Sequence, residues 1–184
     1  MNDDADLMRR IARGESGAFR TLVARYERIG FNFFLRLTGI PEDAEDLTQE
    51  LFIAIFRSAG RYRSDAPFKA FFYRIASNLS ASHLRKRKLR AAPSIDEMAE
   101  RGFDPASTRH EDDPALSLGG REIRRRYEEA LADLPRDWRI ALELRVTGEL
   151  TYEEIAAAMG KSVSAVESIL VRARERIAEK LDER

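Results

Sequence analysis

ELTYEEIAAAMGKSVSAVESILVRARERI, from Glu149 to Ile177, decides the fold of this chain. Thr151 and Glu154 stand at the spacing of a capping box, in which a threonine and a glutamate three residues on satisfy each other's backbone N–H groups, so a helix opens here. Gly160 ends it. Ile155, Ala156 and Met159 before that glycine, and Val163, Val166 and Leu170 after it, recur at helical spacing and make one shared apolar seam. Ala156 is small enough for a close helix crossing and Val166 plugs the joint. This is the pattern of a helix-turn-helix, whose second helix is shaped for the major groove of DNA. Two packed helices of any α-helical domain satisfy the same spacing. The outer face argues for DNA, because Lys161, Arg172, Arg174 and Arg176 line the second helix and its approach, where cations meet phosphates. Ser162 or Ser164 is placed to cap the second helix, and Ser164 with Glu167 repeats the S-x-x-E spacing, which gives Glu167 a capping role.

Toward the N-terminus, a helical pattern from about Arg121 breaks at Pro135 and resumes from Arg136 to Val146 with Trp138, Ile140, Ala141, Leu142 and Leu144. Ahead of it, residues 91–120 hold Pro93, Pro105, Pro114, Gly102, Gly119 and Gly120 without periodicity and read as a flexible acidic linker. Asp3 to Arg13 reads as a short helix closed by Gly14. Ser16 caps a longer one with an apolar stripe of Phe19, Leu22, Val23, Tyr26, Ile29, Phe33, Phe34 and Leu37, stopped by Gly39. Pro41, favoured in a first turn, opens a third helix that runs to about Arg61. Leu47, Leu51, Ala54 and Ile55 suffice for its core face, leaving Phe52 and Phe56 beside Asp46, Gln49 and Glu50. Either these rings pack under a neighbouring helix or they form a protein-binding surface. After a polar loop, Arg61 to Asp65, Pro67 starts a fourth helix in which Phe68, Phe71, Phe72, Tyr73, Ile75, Leu79 and Leu84 run into the basic cluster HLRKRKLR. Aromatics followed by cations suit unstacked bases followed by phosphates, or simply a core helix with a solvated basic end. The predicted architecture is all-α, two small helical domains at 1–90 and 121–184.

The 184 residues are 43% hydrophobic, with Lys+Arg and Asp+Glu both 32. Zero net charge gives little long-range attraction to DNA, and the acids of 91–120 compete with phosphates for the flanking basic clusters, so weak DNA binding by the isolated chain is predicted. With no cysteine there is neither a disulfide framework nor a thiolate metal site, which fits a reducing, cytoplasmic setting. No run is long and apolar enough for membrane insertion. Only His83 and His110 are present, one opening a basic cluster and one in the linker, so both read as solvated. With no Gly-rich phosphate loop either, the usual nucleophilic and metal constellations cannot be assembled, and no enzyme, cofactor or metal is predicted.

The order of parts resembles the extracytoplasmic-function sigma factors of the sigma-70 family. FFLRLTGIPEDAEDLTQELFIAIFRSAGRYRSDAPFKAFFYRIASNLSASHLRKRK is similar to sigma region 2, and LPRDWRIALELRVTGELTYEEIAAAMGKSVSAVESILVRARERI to region 4. The resemblance implies a transcription initiation factor that binds core RNA polymerase and directs it to promoters by recognising −35 and −10 elements and aiding melting. It implies that Asp46, Gln49, Glu50, Phe52 and Phe56 grip the polymerase β′ coiled coil, with region 4 on the β flap. It implies that Arg61, Tyr62, Arg63, Phe71 and Asn78 hold a base flipped from the −10 element, with Arg85, Lys86 and Arg87 on the nearby backbone. Lys161, Ser164, Ser168, Arg172 and Arg174 would then contact the −35 element, and an anti-sigma factor would wedge between the domains. Phe71 stands where the family usually has tryptophan, Ser82 where it often has aspartate, and Glu167 and Ile169 where Lys or Arg is usual. Those last two changes support the competing reading of a sigma-like DNA-binding regulator that does not start transcription.

Overall fold

The computed structural model describes residues 3–63, 67–90, 126–127 and 129–182. The predicted linker 91–120, the predicted helix start at Arg121, Ser64, Asp65, His110 and the side chains of residues 88–90 lie outside the described residues. Among these the chain is helical with no strand, in agreement with the all-α expectation. The helices are α1 (Asp3–Ala12), α2 (Ser16–Thr38), α3 (Pro41–Ser58), α4 (Phe68–Arg90), α5 (Arg136–Val146), α6 (Tyr152–Met159) and α7 (Val163–Asp182). A 3-10 turn, Ala59–Arg61, continues α3, and residues 129–133 are helical ahead of α5.

The ends are set by local chemistry. Gly39 sits at φ 71 and Gly160 at φ 63, each donating its N–H back to its helix, so both glycines stop a helix in the left-handed conformation they tolerate best. Pro41 occupies the first turn of α3. The capping box of α6 is complete: Glu154 N–H donates to Thr151 Oγ1 at 3.2 Å and Thr151 N–H to Glu154 Oε2 at 2.8 Å. Ser16 is not a cap, because Glu15 holds the extended N-cap position of α2 and no side chain bonds the helix start.

In the N-terminal half, α2, α3 and α4 close on aromatic rings. Tyr73 lies 5.4 Å from Phe33 and 5.2 Å from Phe72, and Tyr26 lies 4.9 Å from Phe68, all tilted or edge-on. Each such pair adds about 0.5–1.5 kcal/mol beyond its burial. Gly30 permits the close approach, since a Cβ there would sit 3.3 Å from Leu51 and 3.4 Å from Phe72. Two members of the predicted apolar stripes face out instead: Ile29 on α2 and Val163 on α7 are exposed. In the C-terminal half, Ile155, Ala156, Val166 and Leu170 of the predicted seam are buried and Met159 is half-buried, with Ile140 and Leu144 of α5 buried as well.

The two halves pack against each other. α4 lies against both α5 and α6, and α2 against α5. Polar contacts join them: Arg36 Nε donates to Glu143 Oε1 at 2.5 Å, Arg139 to the Leu37 carbonyl, and Arg136 to the Ala81 carbonyl at 3.2 Å, and the buried apolar residues of both halves belong to one hydrophobic core. Arg139 and Arg87, which donates to the Thr38 carbonyl at 3.1 Å, together satisfy the carbonyl end of α2.

Two glycines of the C-terminal half separate conformational from steric demand. A Cβ on Gly160 would meet nothing within 4 Å, so Gly160→Ala loses only left-handed freedom, about 1 kcal/mol. A Cβ on Gly148 would stand 2.5 Å from the Leu144 carbonyl oxygen, which is backbone and cannot turn aside. Gly148→Ala is therefore expected to destabilise the fold by about 3 kcal/mol, clearly more than Gly160→Ala, in chemical denaturation.

Candidate nucleic-acid interface

The 3-10 turn and the first two turns of α4 build a cleft of about 400 Å³. It is lined by Arg61, Tyr62, Arg63, Ala70, Phe71 and Arg74, together with Ala157 and Ala158 of α6. The floor is aromatic. Tyr62 is half-buried, held edge-on to Phe68 at 6.2 Å and to Phe71 at 5.1 Å, and the Arg74 guanidinium lies 5.5 Å above the Phe71 ring. Rings at the base and guanidinium groups at the rim suit a planar, hydrogen-bonding group attached to a phosphate chain. Arg74 escaped the sequence reading, and its spacing of three from Phe71 on a helix is the signal that could have found it.

The other residues of the predicted −10 set are separated. Asn78 is exposed one turn beyond Arg74, and Arg85 and Lys86 are exposed farther along α4. Arg87 is half-buried and already engaged at the end of α2. His83 is not solvated as predicted: it is half-buried, its Nε2 3.1 Å from Asp43 Oδ2 in the first turn of α3.

On α7, Ser164, Ser168 and Arg172 follow one exposed line, four residues apart, whereas Arg174 lies on the opposite flank of that outer face. Val171, 47% exposed, sits between those flanks and offers an apolar contact that a reading for cations alone misses. The cap of α7 is Ser162, whose hydroxyl accepts from Ala165 N–H at 3.2 Å; the Ser164–Glu167 box does not form. Ser168 instead donates to the Ser164 carbonyl. The capping role predicted for Glu167 is thereby overturned, because the third residue after the cap is Ala165, and Glu167 is exposed. Ile169 is half-buried against the core and fills the joint beside Val166. Lys161 is held by Asp137, Nζ to Oδ2 at 2.8 Å.

On α3, Asp46, Gln49 and Glu50 are exposed along one edge. Phe52 is not available beside them: only 7% exposed, it packs edge-on to Phe19 at 6.4 Å. Phe56 and Ile53 remain, 51% and 49% exposed. Among the described residues no group of His, Asp or Glu is arranged to hold a metal ion, and no helix is long and apolar enough to cross a membrane.

The electrostatics follow burial. Burial, reinforced by the Glu143 carboxylate, pushes the Tyr73 phenol up to about 12, so the ring stays neutral in the core. Burial, and then the Arg87 charge beside it, lowers the pKa of Arg139. For Asp137 burial acts upward, but hydrogen bonds from Lys161 and Arg136 outweigh it and hold the carboxyl below its ordinary value.

Comparison with known proteins agrees with this division into halves. Residues 22–90 match sigma-70 region 2 and residues 124–177 match sigma-70 region 4. The chain is 34% identical to the RNA polymerase sigma-H factor of Pseudomonas aeruginosa, over 95% of this chain and 91% of that one. It is 33% identical to the ECF RNA polymerase sigma-E factor of Escherichia coli K12, over 97% and 94%. Among solved structures it is similar to CnrH in complex with the cytosolic domain of CnrY, with TM-score 0.67, 26% identity and 97% of each chain covered. It is equally similar to the sigma factor RpoE in complex with the anti-sigma factor NepR from Bartonella quintana, with TM-score 0.67, 25% identity, and 90% of this chain and 98% of that one covered.

The Asp137 cluster has a pH signature. Its folded pKa is depressed, so its stabilising contribution is complete above the unfolded value of about 3.9 and is lost as pH falls through the lower folded value. The stability difference between the wild type and Asp137→Asn is therefore expected to be constant from neutral pH to about pH 5 and to shrink below about pH 4, read by denaturation at each pH.

Proposed function

The chain belongs to the extracytoplasmic-function sigma factors of the sigma-70 family, non-catalytic initiation factors that direct RNA polymerase to promoters through regions 2 and 4, and on that premise we propose how its residues share the work. The cleft of Tyr62, Phe71 and Arg74 receives a base flipped from the −10 element, with Arg61 and Arg63 on the adjoining phosphates and Asn78 reading the base edge. Arg85 and Lys86 extend the backbone contact along α4. The observation that carries this reading is the aromatic floor under a guanidinium rim, in a volume typical of small-ligand sites, at the start of the helix that ends region 2. Flipping costs a few kcal/mol and stacking on a ring returns about 1–3 kcal/mol.

The exposed outer face of α7, with Ser164, Ser168, Val171, Arg172 and Arg174, meets the −35 element. Lys161 joins it on release from Asp137. The α3 edge of Asp46, Gln49 and Glu50, with Phe56 and Ile53 in place of Phe52, docks on the β′ coiled coil of core polymerase, and region 4 on the β flap. Sigma factors bind core RNA polymerase, and both solved relatives were crystallised with a protein bound: CnrY in one case, the anti-sigma factor NepR in the other. We extend this to an anti-sigma partner for the present chain, acting in the cytoplasm.

Run-off transcription with purified core polymerase tests the whole reading; an initiation factor yields promoter-dependent transcripts and a sigma-like regulator does not. Tyr62→Ala and Asn78→Ala are expected to leave core binding intact and lower open-complex yield on duplex promoters roughly tenfold or more, the equivalent of lost stacking. Pre-melted templates should restore the yield, and an equal loss on both templates would remove the flipping role. Replacing Asp46 and Glu50 together by Lys should abolish pull-down by core polymerase at unchanged helical content, since each buried ion pair lost costs about 2–5 kcal/mol.

A further inference from the structure

Glu167 loses its predicted capping role to Ser162, and nothing in the fold replaces it. It is exposed, the fifth residue of α7. The positions three and four away, where a helix brings a cation to an acid, hold Val163, Ser164, Leu170 and Val171. Two other acids of α7 are better placed: Glu179 receives Arg176 at 3.1 Å, and Glu175 stands three residues from Arg172. Among the described residues the Glu167 carboxylate has neither an ion pair nor a side-chain hydrogen bond.

Such a glutamate is ordinary on a helix face that only water meets. This one stands on the face proposed for DNA, with Ser164 a turn behind it, Ser168 beside it and Val171 a turn ahead, all exposed. It also lies in the N-terminal part of the second helix, the part that approaches base edges in a helix-turn-helix. Contact strips water from the carboxylate, which must then meet a donor or weaken the complex. Phosphate oxygens are negative acceptors and offer no donor. At the major-groove edge guanine shows N7 and O6, and thymine O4, all acceptors. Adenine sets its N6 donor beside the N7 acceptor, whereas cytosine shows its N4 amino group alone. Val171, 47% exposed, has its counterpart in the thymine methyl group.

On the premise that α7 meets the −35 element, we propose that Glu167 sets part of its base specificity. The carboxylate accepts a hydrogen bond from N4 of a cytosine, and Val171 packs on the methyl of a thymine within about two base pairs, since four residues of helix rise about 6 Å and a base-pair step about 3.4 Å. The acid acts by exclusion as much as by attraction. Opposite guanine or thymine it faces acceptor lone pairs with no water between, so those sites are rejected, which an uncharged residue in its place does not achieve. The same charge lowers affinity for every sequence through the phosphates, so selectivity is gained against overall grip.

The full chain is assembled with core RNA polymerase and incubated with duplex DNA carrying a randomised stretch, and the bound fragments are sequenced. Affinities are then measured on the four single-base variants of the enriched site. The wild type is expected to favour cytosine at one position by about tenfold or more over guanine or thymine. Glu167→Gln keeps the shape and replaces one acceptor by a donor, so the preference there is expected to move to adenine while other positions keep theirs. Replacing the neighbouring thymine by deoxyuridine, which lacks the methyl, should weaken the wild type about threefold and leave Val171→Ala unchanged. A gain in affinity of Glu167→Gln that is equal on all sequences overturns the proposal, because the acid then only repels phosphates. An unchanged base preference overturns it too. Arg172→Ala separates the premise: if it weakens binding to the enriched site while Glu167→Gln leaves every preference in place, α7 meets DNA and Glu167 does not read it. If neither substitution alters binding, the outer face of α7 is not the DNA surface, and the premise falls with the proposal.

Discussion

α4 has two faces to cover, and the structure depends on how it covers them. One face delivers Phe68, Phe72, Tyr73 and Ala76 to the N-terminal core, all at 1% exposure or less. The other carries Ala70, Phe71, Arg74 and Ala81 toward the cleft and the C-terminal half. A helix with apolar groups on both sides is seldom stable as a free surface element. It needs a second partner, and that partner is α6 with α5 in this arrangement.

The two interfaces of α4 differ in kind. Toward α2 and α3 it is ring against ring and leucine against ring, an interior that loses several kcal/mol for any large truncation. Toward the C-terminal half the named polar contacts range from the exposed Lys69–Glu149 pair, worth at most about 1 kcal/mol, to Arg36–Glu143, whose carboxylate is only 12% exposed.

Much of this was legible in the residues alone. The capping box, Gly39 and Gly160 act through local backbone chemistry, so sequence located three helix ends within a residue. The apolar seam of α6 and α7 followed from periodicity, and the two-region resemblance named the family. What sequence could not resolve was partnership. Phe52 and Phe56 are one turn apart, chemically alike and both edge-on to Phe19, at 6.4 and 5.1 Å, yet Phe52 is 7% exposed and Phe56 51%, a matter of how α2 crosses α3. Ser162 and Ser164 are equivalent as caps until the turn geometry chooses the first. His83 looked solvated because its neighbours in sequence are cations, whereas its partner, Asp43, comes from another helix. The packing of the two halves was invisible for the same reason: Arg36 meets Glu143 from a distant helix, and Arg139 and Arg136 meet backbone carbonyls, which leave no trace in residue type.

The packing of the halves leaves one edge of the N-terminal bundle apart. α3 makes its principal contacts with α2, α4 and the 3-10 turn, not with the C-terminal half, so its edge of Asp46, Gln49, Glu50 and Phe56 is exposed. Zero net charge leaves the chain with little pull toward DNA at long range. The surface proposed for polymerase thus stands clear of the C-terminal half, whereas the cleft proposed for the −10 element shares its lining with Ala157 and Ala158 of α6, so a partner on α3 meets the N-terminal bundle alone.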